Sequence, residues 1–233
     1  MKSVQDEILR QQQRFAQQPF FRRLEQEGPM EHALAFVPGL TFFVMAFQDM
    51  LRINEVRVSD PALLRIARHH RLEDQGHEQW FLRDMAKLGT ERDIRWLFGP
   101  EHAATRDASY ALLSEVIRAN DDRLRIVLLL VLEATGEVFF SRIPGYIERA
   151  GYRGAAQLEY FSRSHHETEK NHILFEREMH ASLIAVELPS EIRTDALALV
   201  ERSFTAMRSM VDELEARIVR QDRGARRLHA SGA

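Results

Sequence analysis

Ile126-Val127-Leu128-Leu129-Leu130-Val131-Leu132-Glu133-Ala134-Thr135-Gly136-Glu137-Val138-Phe139-Phe140 is the stretch that decides the architecture. Seven consecutive apolar residues leave no polar face, so a helix here must be covered on every side. Asp121-Asp122 supplies a start signal, and the helix is expected to reach about Arg149 with a bend at Pro144. A central helix needs other helices around it. The rest of the chain shows helical periodicity between widely spaced prolines and glycines, with no alternating strand pattern, repeat or low-complexity linker.

Working outward, the spacing predicts seven helical segments. The first covers about 3–27, with a break near Pro19; Gly28-Pro29 makes a turn. A very apolar second helix follows over about 31–56, kinked at Pro38-Gly39. Asp60-Pro61 opens a third, with Asp as N-cap and Pro at the first helical position, and Gly89 stops it after Leu88. The fourth lies over 101–119 and the sixth over about 154–185. Leu188-Pro189-Ser190-Glu191 starts the seventh, which is expected to end near Arg223. Long helices with short turns predict one all-α bundle over residues 1–223, followed by a disordered tail over 224–233.

Composition narrows the chemistry. The 233 residues include no cysteine, which excludes disulfides, iron–sulfur clusters, thiolate zinc sites and a cysteine nucleophile. Acids (35) and bases (32) nearly balance, so no global basic field favours nucleic acid. Met1 to Glu7 lacks the apolar core of a secretory signal. The longest uncharged stretch, 33–47, is shorter than the ~20 residues of a membrane span. A cytoplasmic location is expected. The ten histidines and the carboxylates are then the available strong metal ligands.

Glu133 is the first anomaly, because an ionised carboxylate inside an apolar helix costs several kcal/mol unless it is compensated. An arginine partner, protonation or a bound cation would each serve. The sixth helix carries His165-His166-Glu167-Thr168-Glu169-Lys170-Asn171-His172. His165, Glu169 and His172 stand at i, i+4 and i+7, on one face over two turns, an arrangement suited to chelation. Chance yields only about 0.06 such matches in a chain of this composition. A solvated charged face is the bland alternative. On the third helix His70, Asp74 and His77 form a second such stripe, with Glu73 on its edge and Gly76 inside. Gly within a helix is disfavoured by ~1 kcal/mol and so calls for a packing or functional reason.

Asp74/His77, Glu133 and His165/Glu169/His172 thus lie on three long helices. Carboxylates and imidazoles converging in a bundle core suit Fe or Mn. Two families offer comparisons. A ferritin-like scheme would pair each acid-x2-His with an earlier acid, Glu133 for one and Asp49 for the other, but leaves His165 surplus. The chain more closely resembles the haem-oxygenase-like di-iron oxidases and oxygenases, whose seven-helix fold is shared with thiaminase II-like proteins. The resemblance runs over almost the whole chain and rests on His77, Glu133, His165, Glu169 and His172, with Asp74, Glu73 or His70 completing the third-helix set. His70 stands where many members have Glu.

The resemblance implies two Fe(II) ions, the second often labile, O2 activation, and oxidation of a small organic substrate, with no catalytic residue beyond the metal ligands. It implies no membrane or nucleic-acid partner; a homodimer is the base-rate expectation. Phe42, Phe43, Met45, Phe47, Phe139 and Phe140 are candidates for a substrate cavity, or for plain core. The competing readings are a thiaminase II-like hydrolase, which lacks its cysteine here, a haem-binding protein, and a non-enzymatic helical interaction module.

Overall fold

The computed structural model describes residues 1–26, 34–169, 183 and 185–231, and of Glu169 and residues 222–231 the backbone alone. The fold is all-α, with no strand among the described residues. The helices that matter for the site are α1 (Lys2–Phe15), α2 (Pro19–Arg23), α3 (Thr41–Arg57), α4 (Pro61–Glu73), α5 (His77–Leu88) and α6 (Ile94–Leu97). They are followed by α7 (Ala103–Arg118), α8 (Asp122–Phe140), α9 (Ile143–Arg149), α10 (Arg163–Glu169) and α11 (Ser190–Ser231). None is long and apolar enough to cross a membrane.

Helix α8 is the central element that its sequence requires. Every residue from Leu124 to Thr135 is buried, and α1, α4, α7, α9, α10 and α11 all pack against it. Burying a Leu, Ile or Val side chain stabilises the fold by about 1.5–3 kcal/mol each, so this segment is a principal source of core energy.

Helices α4 and α8 are brought into register at their N-termini. Asp60 caps α4, its side chain accepting from Ala62 N at 2.9 Å and Leu63 N at 3.0 Å. The Asp122 carboxylate at the start of α8 accepts from Ser59 N at 2.8 Å and Asp60 N at 2.7 Å, tying the two helix starts together. Burial alone would raise the Asp122 pKa, but these donors and the nearby Arg125 hold it below its ordinary value. From that clamp the helices run alongside each other. His70 lies ten residues beyond Asp60 and Glu133 eleven beyond Asp122, which at 1.5 Å per residue puts both ~15–16 Å along. The clamp therefore sets His70 level with Glu133.

Several expected helices are subdivided or shifted. The third does not run unbroken to Leu88: α4 stops at Glu73 and α5 starts at His77. The cause is Gly76, whose φ of 95° lies in the left-handed region that no continuing helix contains. The carbonyl of Asp74 at the junction accepts from Gln48 Nε2 at 3.0 Å. The first helix breaks before Pro19, and the fifth divides at Ser141-Arg142, ahead of Pro144 in the first turn of α9. Regular α-helix in the sixth segment begins at Arg163, not near Gly154, because residues 158–162 are held as a loop by Asp84. Helix α11 continues to Ser231, past the expected end at Arg223 and through the segment read as a tail. One glycine costs a helix only ~1 kcal/mol, and Ala225, Arg226, Arg227 and Leu228 are good helix formers. The turn at Gly28-Pro29 and the end of the sixth helix lie outside the described residues.

Two predictions follow from these junctions. Gly76→Ala should cost about 1–2 kcal/mol, seen as a fall in melting temperature of about 2–8 °C. A Cβ at Gly76 meets no described atom within 4 Å, so this loss is conformational and not a clash. Asp122→Ala should cost about 0.5–2 kcal/mol, in the range of a lost helix cap. The folded-state pKa of Asp122 is depressed, so its contribution is present above its unfolded value of 3.8 and is lost as pH falls through the folded value. Chemical denaturation from pH 7 to pH 3 should give a difference between wild type and variant that narrows only at the acid end.

Candidate metal centre

Five side chains from α4, the α4–α5 junction, α5, α8 and α10 form a continuous buried chain of oxygen and nitrogen atoms. His70, Asp74, His77, Glu133 and His165 are all buried. His70 Nε2 contacts Glu133 Oε1 and lies 3.2 Å from Asp74 Oδ2. The other oxygen of the same carboxylate, Asp74 Oδ1, is 3.3 Å from His77 Nδ1. His77 Nδ1 is in turn 3.3 Å from His165 Nε2. Asp74 therefore stands between two imidazoles with one oxygen toward each. The left-handed turn at Gly76 makes this junction, since it ends one helix beside Asp74 and starts the next at His77.

These spacings suit a cation. Two donors, each ~2.1 Å from one ion and subtending 90–109°, stand ~3.0–3.4 Å apart. Three of the four successive separations, 3.2, 3.3 and 3.3 Å, fall within that window, and the His70–Glu133 contact is closer. Ligand atoms of His70, Asp74 and Glu133 also lie within 4.8 Å of one another, and all three residues are buried. Asp74 Oδ2 accepts no hydrogen bond among the described residues, despite its burial. Burying two carboxylates this close is unfavourable unless positive charge is shared between them, as imidazolium or as metal. The donor set of imidazole nitrogen and hard carboxylate oxygen fits Fe or Mn.

His165 is oriented by the backbone. Its Nδ1 lies 2.6 Å from the carbonyl of Tyr160. A carbonyl only accepts, so Nδ1 donates to it, and Nε2 is the ring nitrogen that faces His77. The loop that holds this carbonyl is fixed by Asp84. This buried carboxylate accepts from Glu159 N at 3.0 Å and from Phe161 N at 3.1 Å, the amides on either side of Tyr160. Outside it, Arg83 and Lys87 reach Glu159 at 2.6 and 3.0 Å and hold its carboxyl down to about 2, so this clip stays charged far into the acid range.

Other candidate residues sit elsewhere. Glu73 pairs with His69 at 3.2 Å on the outer side of α4, so the third-helix carboxylate in the buried chain is Asp74. Asp49 is exposed and pairs with Arg52 at 2.9 Å, which removes it from a ferritin-like site; its place on α3 faces solvent. His166, next to His165, faces Glu137 at 3.2 Å. His102 is buried against Trp96 and Arg217, in a cluster with Glu213. His172 and the side chain of Glu169 lie outside the described residues, as do His32 and His180.

The chain of donors opens on a largely apolar cavity. Of the phenylalanines open to either reading, Phe43 and Phe47 of α3 and Phe139 and Phe140 of α8 line it. Phe42 does not. It turns to Phe98 and Tyr110, with ring centroids 5.7 and 5.4 Å away, because it is one residue, about 100°, around the helix from Phe43. Met45 packs against the core without lining the cavity.

Sequence reasoning missed Trp80, Tyr160 and Asp84. Trp80 stacks on His77 with centroids 4.4 Å apart. A signal for Asp84 was present: His70, His77 and Asp84 recur every seven residues, a polar stripe on the face that should be core. Comparison with known proteins yields no matching family model and no matching curated sequence.

Asp84→Ala should leave the amides of Glu159 and Phe161 without their buried acceptor. The expected loss is about 1–3 kcal/mol for an unsatisfied buried group, measured by denaturant titration.

Proposed function

We propose that the protein is a non-haem di-iron, O2-dependent oxidase or oxygenase acting on a small organic metabolite, on the seven-helix haem-oxygenase-like arrangement and in the cytoplasm. The observation that carries this reading is the buried run of five carboxylate and imidazole side chains opening on an apolar cavity. A helical interaction module with solvated His/Glu faces is disfavoured by the burial of His70, His77 and His165.

In this reading His70, Glu133 and Asp74 would hold one ion, and His77 and His165, together with Glu169 and His172, would hold the other. Bound Fe(II) would supply the electrons for O2 reduction. The chain's own residues perform the rest. The Tyr160 carbonyl accepts from His165 Nδ1, which leaves Nε2 as the nitrogen that would bind metal. Trp80 covers the ring of His77 and Phe140 that of His165, with centroids 4.4 and 4.5 Å apart, restricting both imidazoles. The phenylalanines of α3 and α8 keep water from the reacting region, which strengthens every charge interaction inside it.

Anaerobic Fe(II) titration with metal analysis, followed by O2 exposure, is the direct test. About two ions per chain and iron-dependent O2 consumption are expected. Glu133→Ala and His172→Ala should each lower the stoichiometry by about one ion and abolish O2 uptake, while His70→Ala should affect only the ion shared with Glu133. Less than about one iron per chain in the wild type would sink the proposal.

A further inference from the structure

A second buried cluster of titratable groups shares no residue with the donor chain. His102 is 5% exposed, and Arg217 and Glu213 of α11 are buried beside it. Arg217 Nη2 contacts His102 Nδ1 and lies 2.7 Å from Glu213 Oε1. The other oxygen of Glu213 accepts from Thr105 N, in the first turn of α7, at 3.0 Å. Trp96 of α6 covers the pair. Its ring centroid is 3.9 Å from that of His102 and 4.7 Å from the Arg217 guanidinium.

The chemistry of this contact fixes the protonation of His102. A guanidinium keeps its proton and only donates, so Nδ1 must accept and the ring must be neutral. A proton on Nδ1 would turn N–H toward N–H and bring two cations together away from water. The described charged groups around the ring are Arg217 and Glu213 on α11 and Glu101, whose carboxylate is 3.5 Å from Nε2. Arg220 acts on Arg217 from farther along α11, and Arg92 lies 5.7 Å over the indole of Trp96. Burial first, and Arg217 second, hold His102 below its ordinary value of 6.5, against the opposing pull of Glu101 and Glu213.

Two ties hold α6 and the turn after it to the bundle. Arg106 of α7 donates from Nη1 to Leu97 O at 2.7 Å and to Gly99 O at 3.0 Å, and its charge does not change with pH. The other tie is the Trp96–His102–Arg217 stack, which requires neutral His102. Arg217 also packs on the buried turn Val37–Leu40, where a Cβ at Gly39 would lie 2.7 Å from its Nε. Leu40 of that turn lines the cavity. One guanidinium therefore joins the α6 segment, the start of α7 through Glu213, and a wall of the cavity.

We propose that His102 is an acid-operated latch: its protonation breaks the contact with Arg217 and frees Trp96, leaving the α6 segment attached through Arg106 alone. Once undocked, the imidazole titrates at its ordinary value. The docked form is thus fully favoured above 6.5 and loses ground as pH falls below it, down to the docked value. The latch does not rest on the metal-centre reading.

Acrylamide quenching of Trp96 fluorescence, in a full-length Trp80→Phe variant that leaves Trp96 as the single tryptophan, reads the latch directly. Between pH 8 and pH 5 the quenching constant should rise at least about twofold, with the change falling below pH 6.5. Adding His102→Gln, whose amide oxygen still accepts from Arg217 but does not titrate, should abolish the rise. Hydrogen exchange in the wild-type chain, corrected for the intrinsic pH dependence, keeps the test independent of these variants. Residues 93–102 should exchange faster at pH 5.5 than at pH 8, while residues 124–132 of α8 keep their protection. A quenching constant that does not change with pH, a rise that persists with His102→Gln, or exchange that accelerates equally in both segments would each overturn the latch.

Discussion

Asp74 and Glu133 place two carboxylates in an apolar core, in contact with a shared imidazole, and the rest of the structure accommodates that arrangement. Each charge carries a desolvation penalty of several kcal/mol, which only nearby positive charge and well-placed hydrogen bonds can offset. Three separate devices secure the geometry. The Asp122 clamp sets α4 level with α8, the left-handed turn at Gly76 leaves Asp74 facing two histidines, and Asp84 fixes the loop whose carbonyl orients His165. Each is a local hydrogen bond or dihedral whose consequence appears at the centre, a turn or more away.

The same burial links the centre to its cavity. Leu132, Glu133, Gly136, Phe139 and Phe140 share one face of α8, so one helix supplies both a buried carboxyl group and the apolar wall next to it. Stability and function thus draw on one helix in different ways: residues 124–132 supply core energy, and residues 133–140 shape the site.

Much of this was legible beforehand because helical periodicity and helix burial are local properties. The apolar run before Glu133, the cap at Asp60-Pro61 and the i, i+4, i+7 stripes depend only on spacing, and they located α8, α4 and four of the five buried side chains. His70 was read as a doubtful member, since a family pattern expects a carboxylate there, yet it touches Glu133. The interruption at Gly76 was less legible. A glycine within a periodic segment is compatible with a continuous helix, and its φ is chosen by what flanks it. Asp84 was overlooked because a buried acid looks like any surface acid until the amides that it binds, seventy-five and more residues later, are brought beside it.

By itself, then, the amino-acid sequence determined the all-helical class, the central place of α8, and the residue types from which a metal centre would be made. Those follow from side-chain chemistry read at a period of 3.6. Tertiary structure alone decided which carboxylate of Glu73 and Asp74 turns inward and which phenylalanines border open space. Each of these depends on the distance between atoms far apart in the chain. Such distances are set by how helices pack and where they break, not by the spacing of residues along any one of them.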